Sequence, residues 1–129
     1  MDYGYKKQVN LKYAEAIEKT RAELKAGGFG VLTEIDVRAT LKEKLNVDFE
    51  NYIILGACNP PFAYEALKTE RDIGLLLPCN IIVYEEDGKT YVSSIVPTVA
   101  MSMVENEHLG EVAVQVEEKL KQVIDNIAA

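Results

Sequence analysis

The residues best suited to chemistry in this chain are its only two cysteines, Cys58 and Cys79. Each is followed by asparagine and has a proline close by, in Leu55-Gly56-Ala57-Cys58-Asn59-Pro60 and Leu77-Pro78-Cys79-Asn80. A thiol beside a helix N-terminus is a candidate nucleophile or soft-metal ligand, because the helix dipole favours the thiolate. Asn59-Pro60-Pro61 reads as such a start, with Asn59 as N-cap and Pro60 at the first helical position. The two prolines also remove the first helical N–H groups, and the Asn59 side chain is expected to take the next, from Phe62. A thiolate or phosphate then finds few free donors. The other role open to Cys58 is packing, as a small buried side chain at a strand end.

Whether Cys79 meets Cys58 depends on the connection between them. A helix from Pro60 runs roughly 15 Å back along the sheet, at ~1.5 Å per residue. The segment leading to Pro78 can return over roughly 20 Å if extended, at ~3.3 Å per residue. If the thiols meet, they form a dithiol or soft-metal site, with Met101 or Met103 as a third ligand. If not, Cys79 is core. No C-x-x-C is present and His108 is the only histidine, so one chain cannot make a closed four-ligand Cys/His zinc site. His108 and Glu111 share a helix face, where a divalent ion would bind weakly. Carboxylates in a first turn are otherwise explained by the helix dipole.

Other chemistries find less support. Gly27-Gly28-Phe29-Gly30 lies between a helix and a strand, whereas phosphate loops need strand before and helix after. Ser93, Ser94 and Ser102 lack a nucleophile-elbow context. Glu34 and Asp36 near a strand end are acid–base candidates, but alternating acids usually mark an exposed face.

The elements that must position these residues follow from periodicity. Tyr3, Tyr5 and Val9 alternate as a strand, and Asn10 is a candidate cap for a helix carrying Leu11, Ala14, Ile17 and Leu24. Gly27-Gly28 ends that helix. Phe29 to Ile35 is a second strand, and Asp36 caps a short helix bearing Val37, Leu41 and Leu45. Tyr52 to Ala57 is a third strand, whose run Ile53-Ile54-Leu55 suggests burial on both faces. A helix over 60–68 and an apolar connector over 73–78 follow. Cys79–Glu85 and Thr90–Val96 form a hairpin about Asp87-Gly88, and Pro97 stops the second strand. The last helix carries one apolar stripe: Leu109, Val112, Ala113, Val116, Leu120, Val123, Ile124 and Ile127. The order β-α-β-α-β-α-β-β-α predicts one α+β domain over 1–129, with a five-stranded, largely antiparallel sheet and helices packed on it.

Composition bounds the function. The 129 residues are 48% hydrophobic and 27% charged, as in an ordinary globular domain. The net charge of −7 repels nucleic-acid backbones and anionic membranes. No secretory leader or membrane span is read, so the expected compartment is the cytoplasm, with both thiols reduced. The seven tyrosines supply most of the aromatic surface, since tryptophan is absent. They suit sheet packing, pockets or subunit interfaces.

Several separated blocks resemble the signature of the domain-of-unknown-function 302 family. They are Gly28-Phe29-Gly30-Val31-Leu32-Thr33-Glu34-Ile35-Asp36, the two cysteine blocks extended back to Leu75, Tyr84-Glu85-Glu86-Asp87-Gly88, Pro97-Thr98 and Met101. The resemblance implies a small α+β domain similar to the TATA-binding-protein-like architecture, and homodimers. It implies no reaction, substrate or cofactor, and fold likeness alone gives no reason to propose DNA binding. The expected function is therefore a small cytoplasmic homodimeric module that binds a small ligand or another protein, without an assembled catalytic site. The alternative is a thiol-dependent role in redox chemistry, sulfur handling or soft-metal binding through Cys58 and Cys79, with Asn59 and Asn80 beside them and Met101 and His108 as further candidate metal ligands. No cofactor, nucleic acid or membrane is expected.

Overall fold

The computed structural model describes residues 2–129. Five strands form one antiparallel sheet: β1 (Gly4–Val9), β2 (Gly30–Asp36), β3 (Tyr52–Cys58), β4 (Cys79–Glu86) and β5 (Lys89–Ile95). Their spatial order is β1-β5-β4-β3-β2. Helices α1 (Tyr13–Ala26) and α5 (Glu107–Ala128) cover one face, while α2 (Val37–Leu45), α3 (Pro60–Thr69) and α4 (Pro97–Ala100) connect strands or flank them. The chain is an α+β domain, as its element order predicts.

The core lies between the sheet and α1/α5. Register places Leu55, Ile81 and Ser94 in one cross-strand row, with Ile53, Val83 and Val92 in the next. These side chains point toward the helices. All eight stripe residues predicted for α5 are buried. Among the described residues, no helix is long and apolar enough to cross a membrane.

Several local expectations are corrected. The cap of α1 is Lys12 rather than Asn10, with the Lys12 N–H donating to the Glu15 carboxylate at 3.2 Å. Within β3, Ile53 and Leu55 are buried but Ile54 is only half-buried, because the chain covers a single face of the sheet. The connector before β4 is not extended. Residues Arg71–Leu76 wind into a 3-10 helix, packing Ile73 against Ala66 and Leu109 in a small satellite core. Pro97 ends β5 and also starts α4, an element the periodicity does not announce.

The turns behave as their residues dictate. Asp87 and Gly88 have φ of 52° and 77°, the pair of positive values a tight hairpin requires. Asp36 caps α2 by accepting the Ala39 N–H at 3.0 Å. Replacing Asp36 by alanine should cost about 1 kcal/mol. Because α2 buries none of its residues against the rest of the chain, the loss should appear as faster amide exchange confined to α2. Loss of protection spreading into β3 would contradict that localisation.

Candidate functional site

The α3 and α5 helices meet the ends of β3 and β4 over a cavity of about 320 Å³. That lies at the lower end of the range for small-molecule sites. The space exists because small side chains stand where large ones would close it. Ala57 on β3, Ala63 and Ala66 on α3, and Ala113 on α5 all line the cavity. Phe29, Phe62, Leu77, Pro97 and Val116 supply most of the rest. Apart from Asn59 and the two thiols, every lining side chain is apolar.

Antiparallel pairing brings the cysteines together. Cys79 stands opposite Ala57, one residue before Cys58, and both cysteines line the cavity as free thiols. Cys58 is half-exposed, at the last position of β3. Cys79 is 9% exposed. Burial, and secondarily the charge of a nearby Cys58 thiolate, pushes the Cys79 thiol up to about 11. It is therefore a neutral S–H at physiological pH. Met101 lines the same cavity, whereas Met103 is exposed to solvent.

The asparagines are placed differently from each other. Asn59 precedes α3 but its side chain makes no capping hydrogen bond, contrary to expectation. Its amide nitrogen instead lies over Gly28, only 3.2 Å from where a Cβ would stand. Gly28 has φ of +87°, so both the backbone and the packing there favour glycine. Asn80 is exposed, on the sheet face opposite Cys79 and outside the main cavity. It lines a shallower hollow with Leu75, Ile95 and Met101.

His108 sits apart on the exposed start of α5. Its ring nitrogens lie 3.5 Å from Glu65 and 3.5 Å from Glu111. Lys68 first, then His108, holds the Glu65 carboxyl below its usual range. Among the described residues, no group of three or more His, Cys, Asp or Glu side chains is arranged to hold a metal.

Glu117 fixes the wall formed by α4. The Thr98 N–H and Oγ1–H both donate to Glu117 Oε1, at 3.0 and 2.6 Å, and Lys121 donates to Oε2 at 3.2 Å. Burial alone would raise the Glu117 carboxyl, but these bonds outweigh it and hold it low. The carboxylate thus caps a four-residue helix and keeps Pro97 and Met101 against the cavity. The cysteine motifs point to this end of the fold from sequence. The alanines do not, because an alanine in an apolar stripe looks like any other core position.

The model of the family described as domain of unknown function DUF302 matches residues 5–127. No curated protein matches the chain. One solved structure, described as that of the uncharacterized conserved protein DUF302 from Bacillus stearothermophilus, is similar over 100% of both chains, at 33% identity and a TM-score of 0.93.

Proposed function

Taking as premise that this chain belongs to the DUF302 family, we propose that it is a cytoplasmic homodimeric module that binds a small, uncharged apolar molecule between α3, α5 and the sheet. The observation that carries this reading is the apolar cavity of about 320 Å³ at the two-thiol end of the fold. A ligand there gains by leaving water, at about 25 cal/mol per Å² of apolar surface. Asn59 and the thiols offer a few polar contacts for orientation. A charged ligand finds no compensating partner in the lining.

The neutral fluorophore N-phenylnaphthylamine tests this reading. It should bind saturably, at one site per chain, with enhanced emission. Replacing Ala63 by leucine fills part of the cavity and should weaken binding by about 10-fold or more, in line with the effect of a few methylenes in an apolar pocket. Thermal stability of that variant should hold or rise, since Ala63 is only half-buried. Absence of saturable binding to the wild type, or equal binding to the variant, would remove this reading.

A second reading, a soft-metal or sulfur-handling role, is favoured by one observation: Cys58, Cys79 and Met101 line the same cavity. The high Cys79 pKa opposes it, since metal binding must first displace that proton. Competition for cuprous ion against bicinchoninate, with Cys58→Ser as comparison, separates the two readings. Stoichiometric capture lost in the variant supports the metal; no capture leaves the apolar ligand.

A further inference from the structure

Among the described residues, only one face of the sheet is covered. On the other, Tyr52, Tyr84 and Tyr91 form a row across β3, β4 and β5, with neighbouring ring centroids 5.3 Å apart. Beside it runs a second row, Ile35, Ile54 and Ile82. Phe49 extends the surface, with its ring 6.2 Å from that of Tyr52. Ile35 is 48% exposed and Phe49 46%. A sheet face of this composition is an interface in want of a partner.

Helix α2 gives an independent sign. Val37, Leu41 and Leu45 make an apolar stripe, yet α2 has no buried residue and Leu45 is 65% exposed. It rests on β2 and β3 only through half-buried Val37, Thr40 and Leu41, which is thin cover for a helix of nine residues. A partner seated beside it would bury the rest of the stripe.

The surface area says how much is missing. A folded monomer of 14.4 kDa is expected to expose about 6,800 Å². This chain exposes 7862 Å². The surplus of roughly 1,000 Å² is close to the ~800 Å² that each partner contributes to a standard interface.

Charge selects the partner. The open face carries the acids Asp2, Glu50, Glu85 and Glu86 around one base, Lys6, whose Nζ lies over the Tyr84 and Tyr91 rings, while α2 carries Arg38, Lys42 and Lys44 against one acid, Glu43. A partner of a single sign would be repelled by part of this surface. A second copy brings both signs, as a self-complementary two-fold interface requires. We infer that two copies of the chain pack their open sheet faces together about a two-fold axis, with α2 of each at the rim of the other. This rests on the homodimer reading above and names its surface; it is independent of the cavity ligand.

Sedimentation of the full chain across concentration tests it. The wild type should sediment as a dimer, with a Kd near or below about 1 µM. Ile35→Glu and Phe49→Glu each place a charge on the face that the dimer buries and should weaken the dimer about 30-fold or more, the scale of an interface hot spot. Both sites are exposed within the chain, so each variant should keep the wild-type circular dichroism and melting profile of its folded protomer. Val114→Glu, at a 47% exposed position on α5 on the covered side of the sheet, is the control and should leave the dimer unchanged. A dimer that survives both face variants overturns the surface but leaves the homodimer reading standing. A wild type that stays monomeric at hundreds of micromolar overturns both.

Discussion

Replacing Gly56 by alanine is expected to destabilise the fold by about 3 kcal/mol, the upper range for forcing a carbon into a packed site. Gly56 lies in β3 between Thr33 on β2 and Asn80 on β4. A Cβ on Gly56 would fall on Thr33 Oγ1 and come within 2.7 Å of Pro78 Cγ. The threonine can rotate, but one alternative rotamer puts its methyl group in the same space and only the other leaves a hydrogen there. The proline ring cannot rotate at all. Pro78 adjoins Cys79 and forms part of the cavity wall, so displacing it also changes the site. Chemical denaturation should show the loss as a lower midpoint with unchanged slope. Combining the substitution with Thr33→Ala should recover part of the loss but not the share due to Pro78. A Gly56→Ala protein within about 0.5 kcal/mol of wild type would show that strands β2 and β3 do not approach so closely.

Alkaline pH should expose the state of Cys79. Its thiol is pushed up from an ordinary value of 9.0 to about 11. At pH 8 its thiolate is therefore about 100-fold scarcer than that of an unperturbed thiol. Each such thiolate is about 10-fold more nucleophilic, because nucleophilicity rises with basicity. Titration alone thus slows alkylation about 10-fold, and burial slows it further. Mass spectrometry should find the half-exposed Cys58 labelled first, with Cys79 following only on unfolding or at high pH. Comparable rates for both residues at pH 8 would contradict the packing of Cys79.

The same shift sets a stability slope. Between about pH 9 and 11 the unfolded chain has released the Cys79 proton while the native chain retains it. The native state then binds more protons, so stability falls as pH rises. The full two-unit shift is worth about 2–3 kcal/mol. Tyr13, pushed up to about 12 by burial, then by Asp36 and Glu85, adds a slope of the same sign at still higher pH. Cys79→Ala separates the two: it should flatten the slope between about pH 9 and 10, where Tyr13 does not yet titrate, and leave the later loss in place.

Much of this fold is legible residue by residue. The α5 stripe repeats every three to four positions, and the hydrophobic effect buries whatever such a stripe carries. Asp87-Gly88 makes the hairpin because few other pairs tolerate two positive φ values. Asp36 caps α2 because a short carboxylate reaches a free N–H. Where expectation and structure part, a nonlocal contact has outweighed a local preference. Asn59 is a good cap by type, yet its side chain lies against Gly28, far away in sequence. Ile54 reads as core from its neighbours, but no helix among the described residues covers its face. Gly56 carries a visible signal, a lone glycine inside an apolar strand; what approaches it is not written nearby.

The candidate site divides along the same line. Sequence alone determined that the thiols sit at strand ends beside proline, that one histidine cannot build a closed Cys/His zinc site, and that the chain carries a net charge of −7. Those properties belong to residue type and immediate neighbours. Tertiary structure decided that Cys58 and Cys79 share a cavity, that Asn80 faces away from it, and that four alanines leave it open. It also decided that the tyrosines stack on an uncovered face. Strand order and register set these distances, and they depend on how all five strands and the long helix pack together.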